Sequence, residues 1–208
     1  TIERSADGGG SWTAVAAVTD LSQTAYADTG LTDGDEYTYR LTRATDHITA
    51  QSNTTAAVTV LPAPSGLQSP AHDATSIDLS WTAAHDNGDT HVQYRRTSTS
   101  AWTTDATVSQ TTEAATVSGL RNGEAYDLRV LVVTDHSQTA ASVGPVTTDL
   151  PDVGQPTLGT GVEDEIQVSW TDIINYGKYD IQYRETSSST WLAGPTVSET
   201  VSSEKITG

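Results

Sequence analysis

The sequence repeats with a spacing of 89 residues, and this repeat limits the possible folds more than any other feature. The segment IDLSW at residues 77–81 returns as IQVSW at residues 166–170. The longer segment VQYRRTSTSAW at residues 92–102 returns as IQYRETSSSTW at residues 181–191, and IERSADGGGSW at residues 2–12 is a third version. A constant spacing over several segments indicates that the chain is an array of similar structural units.

Within each unit the pattern of side chains predicts β-strands. Ile77, Leu79 and Trp81 alternate with Asp78 and Ser80, which gives this segment one apolar face and one polar face. The same alternation occurs at residues 37–41 and 126–130, and turn signals rich in Gly, Asn and Asp occur at residues 7–11, 86–89 and 121–124. Because Phe, Met and Cys are absent, branched aliphatic residues, five Trp and eight Tyr must fill the interior. We therefore predict an all-β sandwich fold.

The chain is strongly acidic. It has 27 Asp and Glu residues against 10 Lys and Arg residues, which gives a formal net charge of −17. Binding to nucleic acid or to an anionic membrane needs clustered cations, so we expect no nucleic acid as a partner and no membrane insertion. An acidic composition with few Lys resembles that of halophilic archaea and their viruses, where concentrated salt screens the repulsion between carboxylates.

Several residues of the repeat resemble the fibronectin type III module. A Trp ends the second strand at Trp81 and Trp170, the third strand has the form KYDIQYR at residues 178–184, and LPAPSGL at residues 61–67 resembles the entry to a module. A corner of the form Leu-x-x-Gly-x-x-Tyr occurs as Leu31, Gly34 and Tyr37 and again as Leu120, Gly123 and Tyr126. The resemblance implies tandem immunoglobulin-like β-sandwich modules. In such modules the corner Tyr packs inward and its hydroxyl bonds to the backbone upstream.

The same resemblance divides the chain into three parts. In the family's strand names, A, B, C, C′, E, F and G, residues 62–150 are a complete module. Residues 1–61 hold strands C to G of a preceding module, and residues 151–208 hold strands A to E of a following one. Two explanations remain open: the chain is a window on a longer tandem array, or half-modules of neighbouring chains complete each other by strand complementation. The structural residues implied are Trp81 and Trp170 in the cores and Leu31, Tyr37, Leu120 and Tyr126 at the corners.

The richest polar cluster is HDNGDTH at residues 85–91, in the loop between strands B and C. Asp86, Asn87 and Asp89 offer the oxygen ligands that Ca²⁺ takes, so they are a weak candidate metal site, and Ca²⁺ is the only cofactor that the sequence suggests. The alternative is a turn, because Asn87 and Gly88 form a hairpin signal. We favour the turn and expect no metal and no cofactor.

Other candidate residues repeat between units. His47 and His136 both follow Thr-Asp at the bend between strands F and G, where we expect the Asp to accept local backbone hydrogen bonds. Trp12, Trp102 and Trp191 occupy equivalent places near strand C′, where they either cover the edge of the sandwich or stack on sugar rings, and we favour packing. Asn53 begins an Asn-Thr-Thr glycosylation sequon at the exposed start of strand G.

No set of nucleophile, base and orienting residue is visible, and without Cys there is neither a thiol nucleophile nor a disulfide. We therefore expect a protein that is not an enzyme but an extracellular structural or adhesion segment, a spacer or fibre on a cell surface, filament or virus particle. Its partners would be neighbouring modules or identical subunits, with a cell-surface glycan or protein as further candidates. The alternative function is an accessory spacer in a secreted hydrolase that acts on polysaccharides.

Overall fold

The computed structural model describes residues 1–20, 22–172 and 175–207. Over these ranges the chain forms 17 β-strands and no helix, which confirms the all-β prediction. The described residues accordingly include no helix long and apolar enough to cross a membrane. The strands group into three successive units that follow the 89-residue repeat.

The first unit is a single antiparallel sheet. Its strands are β1 (Ile2–Ser5), β2 (Thr13–Ala16), β3 (Glu36–Ala44), β4 (Thr49–Gln51) and β5 (Thr55–Val58). The strand order is β2-β1-β3-β4, and β5 pairs with the first half of β3. These strands correspond to C, C′, F and G. The resemblance implies a strand E between C′ and F, but residues 22–30, which lie between β2 and β3, form no strand, and no described strand pairs with them.

The middle unit is a seven-stranded sandwich. Its strands are β6 (Ser65–Gln68), β7 (Ser76–Thr82), β8 (Asp89–Arg96), β9 (Thr103–Val108), β10 (Ala114–Ser118), β11 (Ala125–Val133) and β12 (Gln138–Thr147). One sheet has the order β10-β7-β6 and the other the order β12-β11-β8-β9. All pairs are antiparallel. In the family's strand names, the first sheet is E-B-A and the second is G-F-C-C′.

The principal core lies between these two sheets. Trp81 on β7 is 5% exposed, and Ile77 and Leu79 on the same face are 0% and 1% exposed. The opposite wall is formed by buried residues of the second sheet and the corner: Val92, Leu120, Tyr126, Leu128 and Val130. The alternation of apolar and polar residues in the sequence is thus confirmed as the division between core and solvent.

The third unit has two small sheets. Its strands are β13 (Thr157–Leu158), β14 (Glu165–Ser169), β15 (Lys178–Tyr183), β16 (Leu192–Ser198) and β17 (Ser203–Thr207). The first sheet has the order β13-β14-β17 and the second pairs β15 with β16. They correspond to strands A-B-E and C-C′. Trp170 follows β14 and is tilted against Tyr179, with ring centroids 5.2 Å apart, and it is partly exposed.

Equivalent apolar residues differ in burial between the units. Leu41 is 57% exposed whereas Val130, its counterpart in the repeat, is 0% exposed. Ile166 is 47% exposed whereas its counterpart Ile77 is 0% exposed. The reason is that a second full sheet covers the apolar face only in the middle unit. The alternation at residues 37–41 predicts one buried face for this strand, and at Leu41 that prediction is wrong.

Each corner is pinned by its Tyr hydroxyl. Tyr126 is 2% exposed and its hydroxyl oxygen accepts a hydrogen bond from the backbone N–H of Arg121 at 3.0 Å. Tyr37 is 7% exposed and accepts from the N–H of Thr32 at 3.1 Å. In both corners the ring fills the space beneath the chain and the hydroxyl holds the turn five residues upstream.

Removing one corner hydroxyl tests this geometry. We expect Tyr126→Phe to lower the free energy of unfolding of the middle module by about 1–2 kcal/mol, because the N–H of Arg121 loses its partner. Urea unfolding followed by Trp fluorescence measures the change. Tyr94→Phe is the matched control, since Tyr94 is the ring that packs edge-to-face on Tyr126 at 5.9 Å. Equal effects of the two substitutions would contradict a specific role for the Tyr126 hydroxyl.

Candidate functional site: the joints between modules

Polar side chains join the first unit to the middle module. The N–H of Asp33, in the first corner, donates to Oδ1 of Asp86 at 2.9 Å. The N–H of Asp86, in the loop between β7 and β8, donates to Oδ2 of Asp33 at 3.1 Å. Each residue thus uses its backbone as donor and its side chain as acceptor toward the other. We call this reciprocal arrangement a clasp, and the contacts around it the first joint.

Two more side chains complete the first joint. The amide nitrogen of Asn87 donates to the carbonyl oxygen of Asp33 and to Oδ1 of Asp35, both at 3.1 Å. From the bend after β11, the hydroxyl of Thr134 donates to the carbonyl oxygen of Gly34 at 2.8 Å. Two separate loops of the middle module therefore hold the same corner, which restricts rotation about the linker.

Glycine makes the close approach at the first joint possible. Gly34 has a φ of +67°, and a Cβ there would lie 3.0 Å from Thr134 and 3.2 Å from Leu61. Leu61, which starts the linker, is 7% exposed at this joint. The Gly of the corner motif thus serves both the left-handed turn and the contact between modules.

The second joint repeats the clasp with amides in place of carboxylates. The N–H of Asn122 donates to Oδ1 of Asn175 at 2.9 Å, and the N–H of Asn175 donates to Oδ1 of Asn122. The side-chain nitrogen of Asn175 also donates to the carbonyl oxygen of Leu120 at 2.8 Å. Arg121 stacks on Tyr176 with its guanidinium carbon 4.1 Å from the ring centroid. Ile173 and Ile174 of this loop lie outside the described residues.

The two clasps occupy the same positions in the repeat. Asp33 and Asn122 are 89 residues apart, as are Asp86 and Asn175, and each clasp spans 53 residues of sequence. A short side chain with an oxygen acceptor is required at all four positions, because it must reach a backbone N–H across a tight contact. Sequence reasoning missed Asp33, Asn122 and Asn175. The available signal was the recurrence of Asp or Asn at matching positions of the corner and of the loop between strands B and C.

This joint accounts for two of the three candidate metal ligands. Asp86 and Asn87 bind the preceding module, whereas Asp89 starts β8 and is exposed. Within the described ranges, no group of three or more His, Cys, Asp or Glu residues is arranged to hold a metal ion. Gly88 has a φ of +94° in a bend at residues 86–88, and β7 and β8 lie in different sheets, so the Asn-Gly pair does not close a hairpin here.

The bends that carry His47 and His136 are held by Thr, not by Asp. The hydroxyl oxygen of Thr134 accepts from the N–H groups of His136 and Ser137 at 3.3 and 3.0 Å, and Thr45 does the same for His47 and Ile48. The expectation that the Asp accepts these bonds is wrong. The Thr hydroxyl is favoured because it can also donate, and at the first joint Thr134 uses this to reach the neighbouring module.

Arginine side chains cover the three equivalent Trp residues. The guanidinium carbons lie close to the ring centroids: Arg40 at 4.1 Å from Trp12, Arg129 and Arg95 at 4.3 and 4.7 Å from Trp102, and Arg184 at 5.1 Å from Trp191. Burial, and then the charge of Arg95, lowers the pKa of Arg129. In each unit a guanidinium stacks on one face of the indole, which favours a packing role for these Trp residues, although Trp191 keeps 57% of its surface exposed.

The remaining predicted site residues are placed as follows. Asn53 is exposed between β4 and β5, where the sequon is accessible. Leu120 is 1% exposed beneath the second corner, and Leu31 is partly buried beneath the first. Glycosylation of Asn53 stays a prediction.

The comparisons with known proteins agree with this architecture. The family model described as fibronectin type III domain matches residues 62–148. A two-domain fibronectin type III segment from chicken tenascin is similar to the chain, with 16% identity, a TM-score of 0.56 and coverage of 69% of this chain and 82% of that one.

A second solved structure, the FN1–FN3 domains of chicken CNTN1, has 16% identity and a TM-score of 0.35, and covers 85% of this chain and 66% of that one. No curated protein matches the sequence. The middle sandwich has the strand order of the family, and the tenascin segment shares its fold in tandem. The chain therefore contains a fibronectin type III domain at residues 62–148, flanked on each side by a β-sheet unit that follows the same 89-residue repeat.

Proposed function

We propose that this protein is a non-catalytic structural spacer, in which clasped joints hold successive modules at a fixed relative orientation. The observation that carries the proposal is the reciprocal clasp, which recurs 89 residues later between different side chains. Two joints with the same geometry produce the same rotation from one module to the next. An array built in this way is a stiff rod whose length follows from the number of modules.

The chemistry of the joints supports stiffness over adhesion as the principal role. At each joint the short Pro-containing linker restricts the backbone, and the clasp adds hydrogen bonds that fix rotation about it. Each such bond contributes about 1 kcal/mol, so three or more at one joint make free rotation a minor state.

The surface suits a location outside the cell. A net charge of −17 keeps such a rod soluble and separated from its neighbours, and a medium with concentrated salt would screen its self-repulsion. The tenascin segment is a tandem of the same modules. We place the protein on a cell surface, filament or virus particle, with neighbouring modules or identical subunits as its partners.

The distance between modules tests the proposal. The chain has no Cys, so spin labels attach only at introduced residues. The pair Ser98→Cys and Ser187→Cys places one label on an exposed turn of each module that flanks the second joint. We expect pulsed electron paramagnetic resonance to give a narrow distance distribution for this pair. A broad distribution in the otherwise unmodified chain would contradict the rod.

One substitution then tests whether the clasp is what keeps the distance distribution narrow. Asn175→Ala removes both hydrogen bonds of that side chain, to Asn122 and to Leu120, and leaves the cores untouched. We expect the distance distribution to broaden because about 1–3 kcal/mol of joint stability is lost, while the melting transition of the middle module stays unchanged. Asn53→Ala is the matched control, because Asn53 is exposed and remote from the second joint.

A further inference from the structure

The two joints share one geometry but differ in charge. At the first joint the clasp is formed by the carboxylates of Asp33 and Asp86, and the carboxylate of Asp35 accepts from Asn87 beside them. At the second joint the clasp is formed by two neutral amides. Of the three carboxylate positions, only that of Asp35 has an acidic counterpart, Glu124.

Each carboxylate of the clasp at the first joint lies against the backbone of the other Asp. A carboxylate oxygen of Asp33 lies 3.1 Å from the backbone nitrogen of Asp86, and the reverse contact is 2.9 Å. Within the described chain, none of the ion pairs involves Asp33, Asp35 or Asp86. The N–H donors stabilise each carboxylate, but the repulsion between the carboxylates is left to the solvent and its ions.

We infer that the first joint is a hinge controlled by ionic strength, closed in concentrated salt and opened by dilution, whereas the second joint stays closed at any salt concentration. This inference rests on the proposed function, because it presumes that closed joints make the rod stiff. Asp33 is partly exposed and Asp86 is exposed, so mobile ions reach the clasp of the first joint. The Debye length is about 30 Å at 10 mM salt and about 3 Å at 1 M, so salt removes most of the repulsion within the first joint.

The difference has a consequence for the rod. On dilution only the first joint loosens, so the first unit moves against a pair of modules that stays rigid. In an acidic chain, uniform self-repulsion would instead loosen every joint together. The distribution of Asp and Asn between the clasps therefore decides where the rod bends.

Distance measurements at both joints separate these possibilities. The pair Thr54→Cys and Ser98→Cys reports on the first joint, and the pair Ser98→Cys and Ser187→Cys reports on the second. The salt range runs from about 1 M down to about 10 mM NaCl, within the range where the far-UV circular dichroism spectrum is unchanged. We expect the open population at the first joint to rise roughly three- to fivefold on dilution, which is the scale of the repulsion between two neighbouring unit charges in water, and none to appear at the second.

Charge-neutral variants test whether the Asp carboxylates cause the salt response of the first joint. Asp33→Asn together with Asp86→Asn keeps an oxygen acceptor at each position and removes both charges, so we expect the first joint to become as insensitive to salt as the second. The matched control removes two charges from exposed turns, with Asp46→Asn and Glu185→Gln, and should leave the salt response intact.

Each outcome has one meaning. A first joint that stays narrow at every salt concentration overturns the hinge and leaves the spacer function standing. Equal broadening at both joints, or an equal rescue by the control variant, shows a general effect of net charge and also overturns the hinge. Broad distributions at both joints in 1 M salt refute the spacer function itself.

Discussion

Replacing Trp81 by Ala is expected to lower the free energy of unfolding of the middle module by about 3–5 kcal/mol. The indole is 5% exposed and packs between the two sheets, against residues of β8, β11 and the corner. Its removal leaves a cavity that rigid strands on both sides cannot close. For a module of this size the melting temperature should fall by roughly 12 °C or more, which differential scanning calorimetry measures directly.

A second Trp in the same module provides the control for this experiment. Trp102 lies at the edge, partly exposed and stacked by Arg95 and Arg129, so Trp102→Ala should cost only about 1 kcal/mol. Equal losses for the two substitutions would show that the core does not centre on Trp81. A Trp81→Ala variant with the melting temperature of the parent protein would also show that the core does not centre on Trp81.

The second large effect is expected at Gly88. This residue has a φ of +94°, and a Cβ there would lie 2.6 Å from the carbonyl oxygen of Val133 and 3.0 Å from Thr134. Gly88→Ala must therefore displace the backbone at the end of β11 as well as strain its own turn, and we expect a loss of about 3 kcal/mol or more in unfolding free energy. Because Asp86 and Asn87 belong to the same loop, the first joint should also open.

Gly66 provides the control for the steric part of that effect. It also has a positive φ, +62°, but a Cβ there would meet nothing within 4 Å. Gly66→Ala should cost only the strain of the left-handed conformation, about 1–2 kcal/mol. Chemical denaturation measures both variants, and the distance between labels at Thr54 and Ser98 reports the joint. Equal losses for Gly66→Ala and Gly88→Ala would contradict the close contact with Val133.

The sequence predicted the elements well because strand and turn signals are local. The alternation at Ile77, Leu79 and Trp81 predicted the buried face of β7, and the positive φ of Gly88 is the conformation that a Gly in an Asn-Gly pair favours. Strand E of the first unit, which the resemblance implies, is not formed, because a strand needs a partner and no described strand pairs with residues 22–30.

The contacts that form the joints could not be predicted from local sequence signals. The sequence places Asp86 and Asn87 in a polar loop, where oxygen ligands, a turn and a contact with a neighbour all require the same residue types. Their partners are Asp33 and Asp35, more than 50 residues away in the chain, and only the packing of one module on the next brings them together.

The repeat, the all-β class, the strand faces and the corners were thus determined by the sequence alone, because each follows from the periodicity of neighbouring side chains. The tertiary structure decided which apolar faces are buried and which polar residues form the joints. Leu41 and Val130 show this most directly: they hold the same position of the same strand, yet one is 57% exposed and the other 0%. Their difference arises because burial depends on whether a second sheet lies opposite, which is a property of the assembled module and not of the strand.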